Sequence, residues 1–192
     1  MTSDLLVNTV PGEIRLAIME GERPSDILIL RRDAGPATGD VYLSRVKSLK
    51  PELGAAFLDL GADHDGFLQL KGEDMPHEGE SLICQVTREA VGNKGVRLTT
   101  TISLCARHLA LLPQGNGVKV SRRIEDTAEC ERLTSLMANM IAGREDDSCG
   151  YVLRTTAASA GVEVLEAEVI LLHDLWDDIV KRRESVEAPA RL

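Results

Sequence analysis

Between residues 41 and 104 the chain carries five short segments, "VYLSRVKSL", "AAFLDLG", "GFLQL", "SLICQVTRE" and "GVRLTTTISL". Gly, Pro, Asn or acidic turn residues separate them. Alternation with a period of two is the mark of a strand with one buried face. Five such strands in so short a span fit a small antiparallel barrel of the OB type, which binds single-stranded nucleic acid or sugars on one face. The expected class is therefore α+β, mainly β.

The only two phenylalanines, Phe57 and Phe67, both fall in this region. In "AAFLDLG", Ala56, Leu58 and Leu60 share one face, while Phe57 shares the other with Ala55 and Asp59. Phe67 alternates with Leu68. The pattern leaves two readings open. The rings are core, as phenylalanine commonly is, or they form a platform on which bases stack, each worth roughly 1–3 kcal/mol.

Charge bears on the choice. A net charge of −9 argues at face value against an anionic partner. Its distribution argues otherwise: residues 84–123 hold seven basic side chains and one acidic, while the flanking segments are acidic. Since salt screens distant charges over about 10 Å, a local basic patch matters more than the total. Lys94, in the glycine-flanked turn "VGNKGV", could track a phosphate backbone with Arg45, Lys47 and Arg97, or simply be solvated.

Outside the barrel, "EIRLAIME" and "DILILRR" read as two strands joined by a turn. Cys130, Leu133, Leu136, Met137, Met140 and Ile141 recur at helical spacing, and "GVEVLEAEVILLHDLWDDIVKRRE" reads as a second amphipathic helix. "CGYVLRTTAASA" reads as a strand entering a small-residue turn. "SVEAPARL" has the composition of a connector. In "VSRRIE" and "VLRTTA" an arginine lies in or beside a strand end, near hydroxyl residues. Arg122 and Arg154 could grip a terminal phosphate, with the Thr155 hydroxyl completing the cradle; ordinary surface ion pairs are the other reading.

Several classes find no support. No Ser-His-Asp arrangement, P-loop or G-x-G-x-x-G is present, and Cys84, Cys105, Cys130 and Cys149 form no zinc-ligand spacing. The four histidines lie in unrelated contexts. The paired aspartates read as solvated faces, so no metal site is expected. Without an apolar run long enough for a bilayer or a leader, a cytoplasmic chain with reduced thiols is expected.

Taken in order, "GDVYLSRVKSLKPELGAAFLDLGADHDGFLQL", "GNKGVRLTTTISLCARHLALLP", "VSRRIED", "VLRTTA" and "LLHDLWDDIVKRRE" resemble the amino-terminal half of the bacterial ribonuclease E/G family. The resemblance implies a partial RNase H-like subdomain over residues 1–37 and an S1 barrel over 38–104. A 5′-sensor region over 105–183 and a linker over 184–192 would follow. It places RNA contacts on Phe57, Phe67 and Lys94, to which the charge reading adds Arg97 and Arg45. It places a 5′-monophosphate on Arg122, Arg154 and Thr155. Two further sensor positions fall on Ala106 and Ala110, where some members carry other residues. The family cleaves single-stranded RNA in processing and decay, using Mg2+ held by acidic residues of a downstream domain, and its intact members are homo-oligomeric. Neither that domain nor a zinc-linking cysteine motif is recognisable here. The expectation is the RNA-binding and 5′-sensing part of such an endoribonuclease, or else a stand-alone RNA-binding module that does not cut.

Overall fold

In the computed structural model the described residues are 3–31, 35–70, 75–92, 94–142 and 148–192. The chain forms two compact units, Met1–Ala37 and Thr38–Leu192.

The first unit is an antiparallel meander of β1 (Ser3–Val10), β2 (Glu13–Glu20) and β3 (Arg23–Arg31). It has three strands where alternation indicates two. The run "DLLVNT" in β1 is contiguous in its apolar residues and carries no period-two signal. A Pro11–Gly12 turn, with Gly12 at φ +85°, folds it onto β2. Arg15 and Arg31 both grip the Glu13 carboxylate and hold it below the usual carboxylate range. Apolar side chains are exposed along all three strands, Leu5 at 61% and Ile27 at 59% among them. With so little buried apolar area, backbone hydrogen bonds carry this unit, and local opening costs little. Amide exchange in β1–β3 is expected to run at least about a hundredfold faster than in the barrel. Equal protection of the two would contradict that expectation.

The second unit begins with a closed five-stranded barrel. Its strands are β4 (Val41–Lys50), β5 (Ala55–Asp59), β6 (Gly66–Gln69), β7 (Ser81–Arg88) and β8 (Arg97–Thr99). They pair in the order β4-β5-β6-β8-β7, and β7 returns to β4. Strand alternation alone suggests an antiparallel barrel, but β6 and β8 run parallel. The barrel is mixed because the chain from β6 crosses to β7 before β8 fills the gap between them. Alternation drives the packing: Val46, Ala56, Leu58, Leu68, Cys84, Val86 and Leu98 point inward and are buried. Burial pushes the Cys84 thiol up to about 11, against a small opposing effect from the Ser44 hydroxyl. Gly66 lies so close to Leu98 that a Cβ there would sit 2.4 Å from its Cδ1.

A small α+β region follows. Strands β9 (Leu104–Cys105), β10 (Leu109–Leu112), β11 (Gly117–Val120) and β12 (Gly150–Leu153) form a sheet in the order β11-β12-β10-β9. Helices α1 (Thr127–Ile141) and α2 (Val162–Ser185) supply Leu133, Met137, Leu165, Val169 and Leu172 to a core with Leu109, Leu111, Tyr151 and Leu153. The Asp126 carboxylate caps α1 by accepting from the amides of Ala128 and Glu129. Where the sequence reads as a connector, Ala190–Arg191 form β13 and pair with Leu43 and Tyr42 of β4. Arg191 also bonds Asp40 at 2.7 Å. Two residues show no periodicity, so only the docked partner strand reveals this element.

Candidate nucleic-acid interface

Strand register sets the first part of the site. Ser48 lies opposite Phe57, Phe57 opposite Phe67, Phe67 beside Arg97, and Arg97 opposite Arg88. Residues directly opposite one another project from the same face. One transverse row of the barrel therefore reads Ser, Phe, Phe, Arg, Arg. The two rings are partly exposed and meet edge to face, their centroids 5.8 Å apart. The Arg97 guanidinium lies over the Phe67 ring, 5.8 Å from its centroid. The quadrupole of the ring and the cation attract one another, which steadies both. Arg88 is exposed and was not singled out from the sequence. A β-bulge at Thr87 brings it opposite Arg97, and only the register could have revealed it.

Lys94 lies in the turn that leads into β8. Val91 and Lys94 exchange backbone hydrogen bonds of 3.1 Å across the turn, and the Lys94 side chain is exposed. The turn packs tightly: a Cβ on Gly95 would sit 1.9 Å from the carbonyl oxygen of Asp65. The next residue, Val96, accepts the Phe67 amide at 2.8 Å. Glycine is thus what lets the lysine turn lie against the strand that carries a ring.

Other basic groups are differently placed. Lys47 donates to Asp65 at 3.0 Å, and that hydrogen bond raises its pKa. Arg45 donates to the carbonyls of Gly79 (3.3 Å) and Ala188 (2.9 Å), tying the barrel to the carboxy-terminal segment. Arg45 thus has a bracing contact, while Arg97 lies over the Phe67 ring and Arg88 stands opposite Arg97.

The second part of the site lies in the α+β sheet. β11 and β12 are parallel neighbours, with Val120 opposite Leu153, and the Ser121 amide donates to the Leu153 carbonyl at 2.8 Å. Arg122 and Arg154 thus emerge just past the same ends of adjacent strands. Arg122 is exposed. Arg154 donates through Nη1 to the Ala106 carbonyl at 2.7 Å and through its amide to the His108 carbonyl at 2.7 Å. Thr155 begins a 3-10 turn, Thr155–Ser159, and is exposed. The next residue, Thr156, donates its hydroxyl to the Arg107 carbonyl at 2.8 Å. Ala106 is partly buried beside this corner; Ala110 is buried in β10 between β9 and β12. Two guanidiniums and a hydroxyl at one sheet end can hold a compact anion by charge-assisted hydrogen bonds.

The β9–β10 loop is itself braced. Glu168 of α2 accepts from the amides of His108 (3.0 Å) and Leu109 (3.2 Å), and from His108 Nδ1 (2.7 Å). Burial would raise its pKa, but these hydrogen bonds outweigh that and lower it. In the sequence alone His108 is one of four histidines in unrelated contexts. Its partner lies 60 positions away, so no local signal could have joined them.

Among the described residues no three His, Cys, Asp or Glu side chains are placed to hold a metal ion. None of their helices is long and apolar enough to cross a membrane.

By fold, this is a mixed five-stranded barrel joined to a small α+β sheet, with an aromatic–cationic face on one and an arginine pair on the other. The Ribonuclease E/G family model matches residues 103–192. The chain is 32% identical to Ribonuclease G of Escherichia coli strain K12 over 206 aligned positions, which cover 96% of the chain and 41% of that relative. It is 30% identical to Ribonuclease G of Haemophilus influenzae, with 98% and 42% covered. To Ribonuclease E of Escherichia coli strain K12 it is also 30% identical, with 96% and 19% covered. The chain belongs to the ribonuclease E/G family. It spans about two fifths of the length of its Ribonuclease G relatives.

Proposed function

We propose that this chain grips single-stranded RNA and senses its 5′ end, as part of a ribonuclease E/G-type endoribonuclease acting in RNA processing or decay. The observation that carries the reading is the row of partly exposed Phe57 and Phe67 backed by Arg97. In this reading the barrel is an S1 domain. Bases stack on the rings, and Lys94, Arg97 and Arg45, joined by Arg88, track phosphates. Stacking tolerates any base, so sequence preference is weak. Arg122, Arg154 and Thr155 take a 5′-monophosphate, and the extra charge and bulk of a triphosphate fit the corner poorly. The meander would be the start of an RNase H-like subdomain.

The same reading makes the complete enzyme a cytoplasmic homo-oligomer that uses Mg2+. The residues present here do not fit such an ion, because no acidic cluster among the described residues is built to hold one. In this reading cleavage belongs to the family's downstream acidic domain, and purified chain is expected to bind RNA without cutting it.

The test is a titration with short RNAs that differ only in the 5′ group. The monophosphate form is expected to bind more tightly than the hydroxyl form. Arg122→Ala, which removes an exposed side chain, should reduce that preference by about tenfold, the worth of a charged hydrogen bond. Equal binding of the two RNAs by the unaltered chain would sink the sensing half of the reading.

A further inference from the structure

Resting on the 5′-sensing reading, we infer that Glu168 is a positioning residue for the phosphate corner, setting the direction of the Arg154 guanidinium through the Ala106–Leu109 loop. The geometry forms a relay. Glu168 reaches out from α2 and takes three donors of the loop, the amides of His108 and Leu109 and the imidazole Nδ1 of His108. Two successive backbone amides converging on one carboxylate form an anion-binding nest. The chain's own side chain fills that nest, so those amides are not available to an external phosphate.

The opposite side of the same loop faces the arginine. Its Ala106 carbonyl accepts Arg154 Nη1, its Arg107 carbonyl accepts the Thr156 hydroxyl, and its His108 carbonyl accepts the Arg154 amide. Three consecutive carbonyls therefore set the main chain and side chain of the arginine segment, while one carboxylate holds the loop from behind. A guanidinium bonded through one nitrogen to a fixed carbonyl still has other N–H groups free to meet a ligand in a set direction. Without Glu168 the loop loses three hydrogen bonds at once, and the arginine is ordered only upon binding, which weakens the grip on the phosphate.

Glu168 thus acts on the 5′ group and not on the RNA body, which engages the barrel. Glu168→Ala should lower the ratio of monophosphate to hydroxyl RNA affinity by about tenfold, with hydroxyl RNA bound within about twofold of the unaltered chain. Glu168→Gln, which keeps one carbonyl acceptor and the side-chain volume, should lose about threefold. It also serves if the alanine variant does not fold. The deciding measurement is a double-mutant cycle with Arg154→Ala. If Glu168 works through Arg154, its substitution costs no further preference once the arginine is gone. A full additive loss in that background would overturn the inference, as would an unchanged ratio in Glu168→Gln and Glu168→Ala. Absence of any 5′-monophosphate preference in the unaltered chain would overturn the sensing reading itself, and this inference with it. A retained preference insensitive to Glu168 removes only the inference.

Discussion

Replacing both Phe57 and Phe67 by alanine is expected to weaken single-stranded RNA binding by about a hundredfold or more while leaving the fold intact. The magnitude follows from base–aromatic stacking, worth about 1–3 kcal/mol per ring. The two rings touch edge to face at 5.8 Å, so their contributions are coupled, and each single variant should cost more than half of what the pair costs. The neighbours explain why stability survives. Leu58 and Leu68, the residues that follow each ring, are buried in the barrel, whereas the rings themselves are only partly covered. Removing them also strips Arg97 of its cation–π contact, freeing a guanidinium that will partly compensate through phosphate. The measurements are RNA titration and thermal unfolding of the same samples. A collapse in melting temperature with unchanged residual affinity would show that the rings serve the core.

The second large effect is expected at Gly95. A methyl group there would meet the Asp65 carbonyl oxygen at 1.9 Å, and that oxygen is backbone, not the movable end of a side chain. The turn or the Asp65–Gly66 segment must shift. Either movement strains the 2.8 Å hydrogen bond from the Phe67 amide to Val96 and displaces the adjacent Lys94. Gly95→Ala should therefore lose about 1–3 kcal/mol of stability, as overpacked sites do, and bind RNA more weakly at low salt. Lys94→Ala, which removes the charge but not the fit, should weaken RNA binding without the stability loss. A Gly95→Ala chain that melts with the unaltered protein would mean that the turn is free to relocate.

Much of the barrel is legible in the chain itself. Alternation places Ala56, Leu58 and Leu68 on one face and Phe57 on the other, because successive side chains of a strand must point to opposite sides. The spacing of Leu133, Leu136, Met137 and Met140 identifies α1 for the same kind of reason, a period of 3.6. Short or irregular elements escape this logic. β1 has no alternation, while β9 and β13 are two residues each. The candidate phosphate corner is legible only as two arginines beside hydroxyl residues. That they emerge side by side depends on the parallel pairing of β11 with β12 across an intervening helix.

The aliphatic face of the barrel strands, the course of the two helices and the gathering of positive charge in the middle of an acidic chain can all be read from the amino-acid sequence, whereas the place of the two rings cannot. Those properties are periodic or additive, and each is set by neighbours within a few positions. It takes the folded chain to bring Arg97 and Arg88 into one row with the rings, to set Arg45 against the carboxy-terminal segment, and to hold the loop behind Arg154 with Glu168. Each of these is a contact between residues far apart in the chain, chosen by strand register and helix docking, and no local pattern encodes a partner sixty residues away.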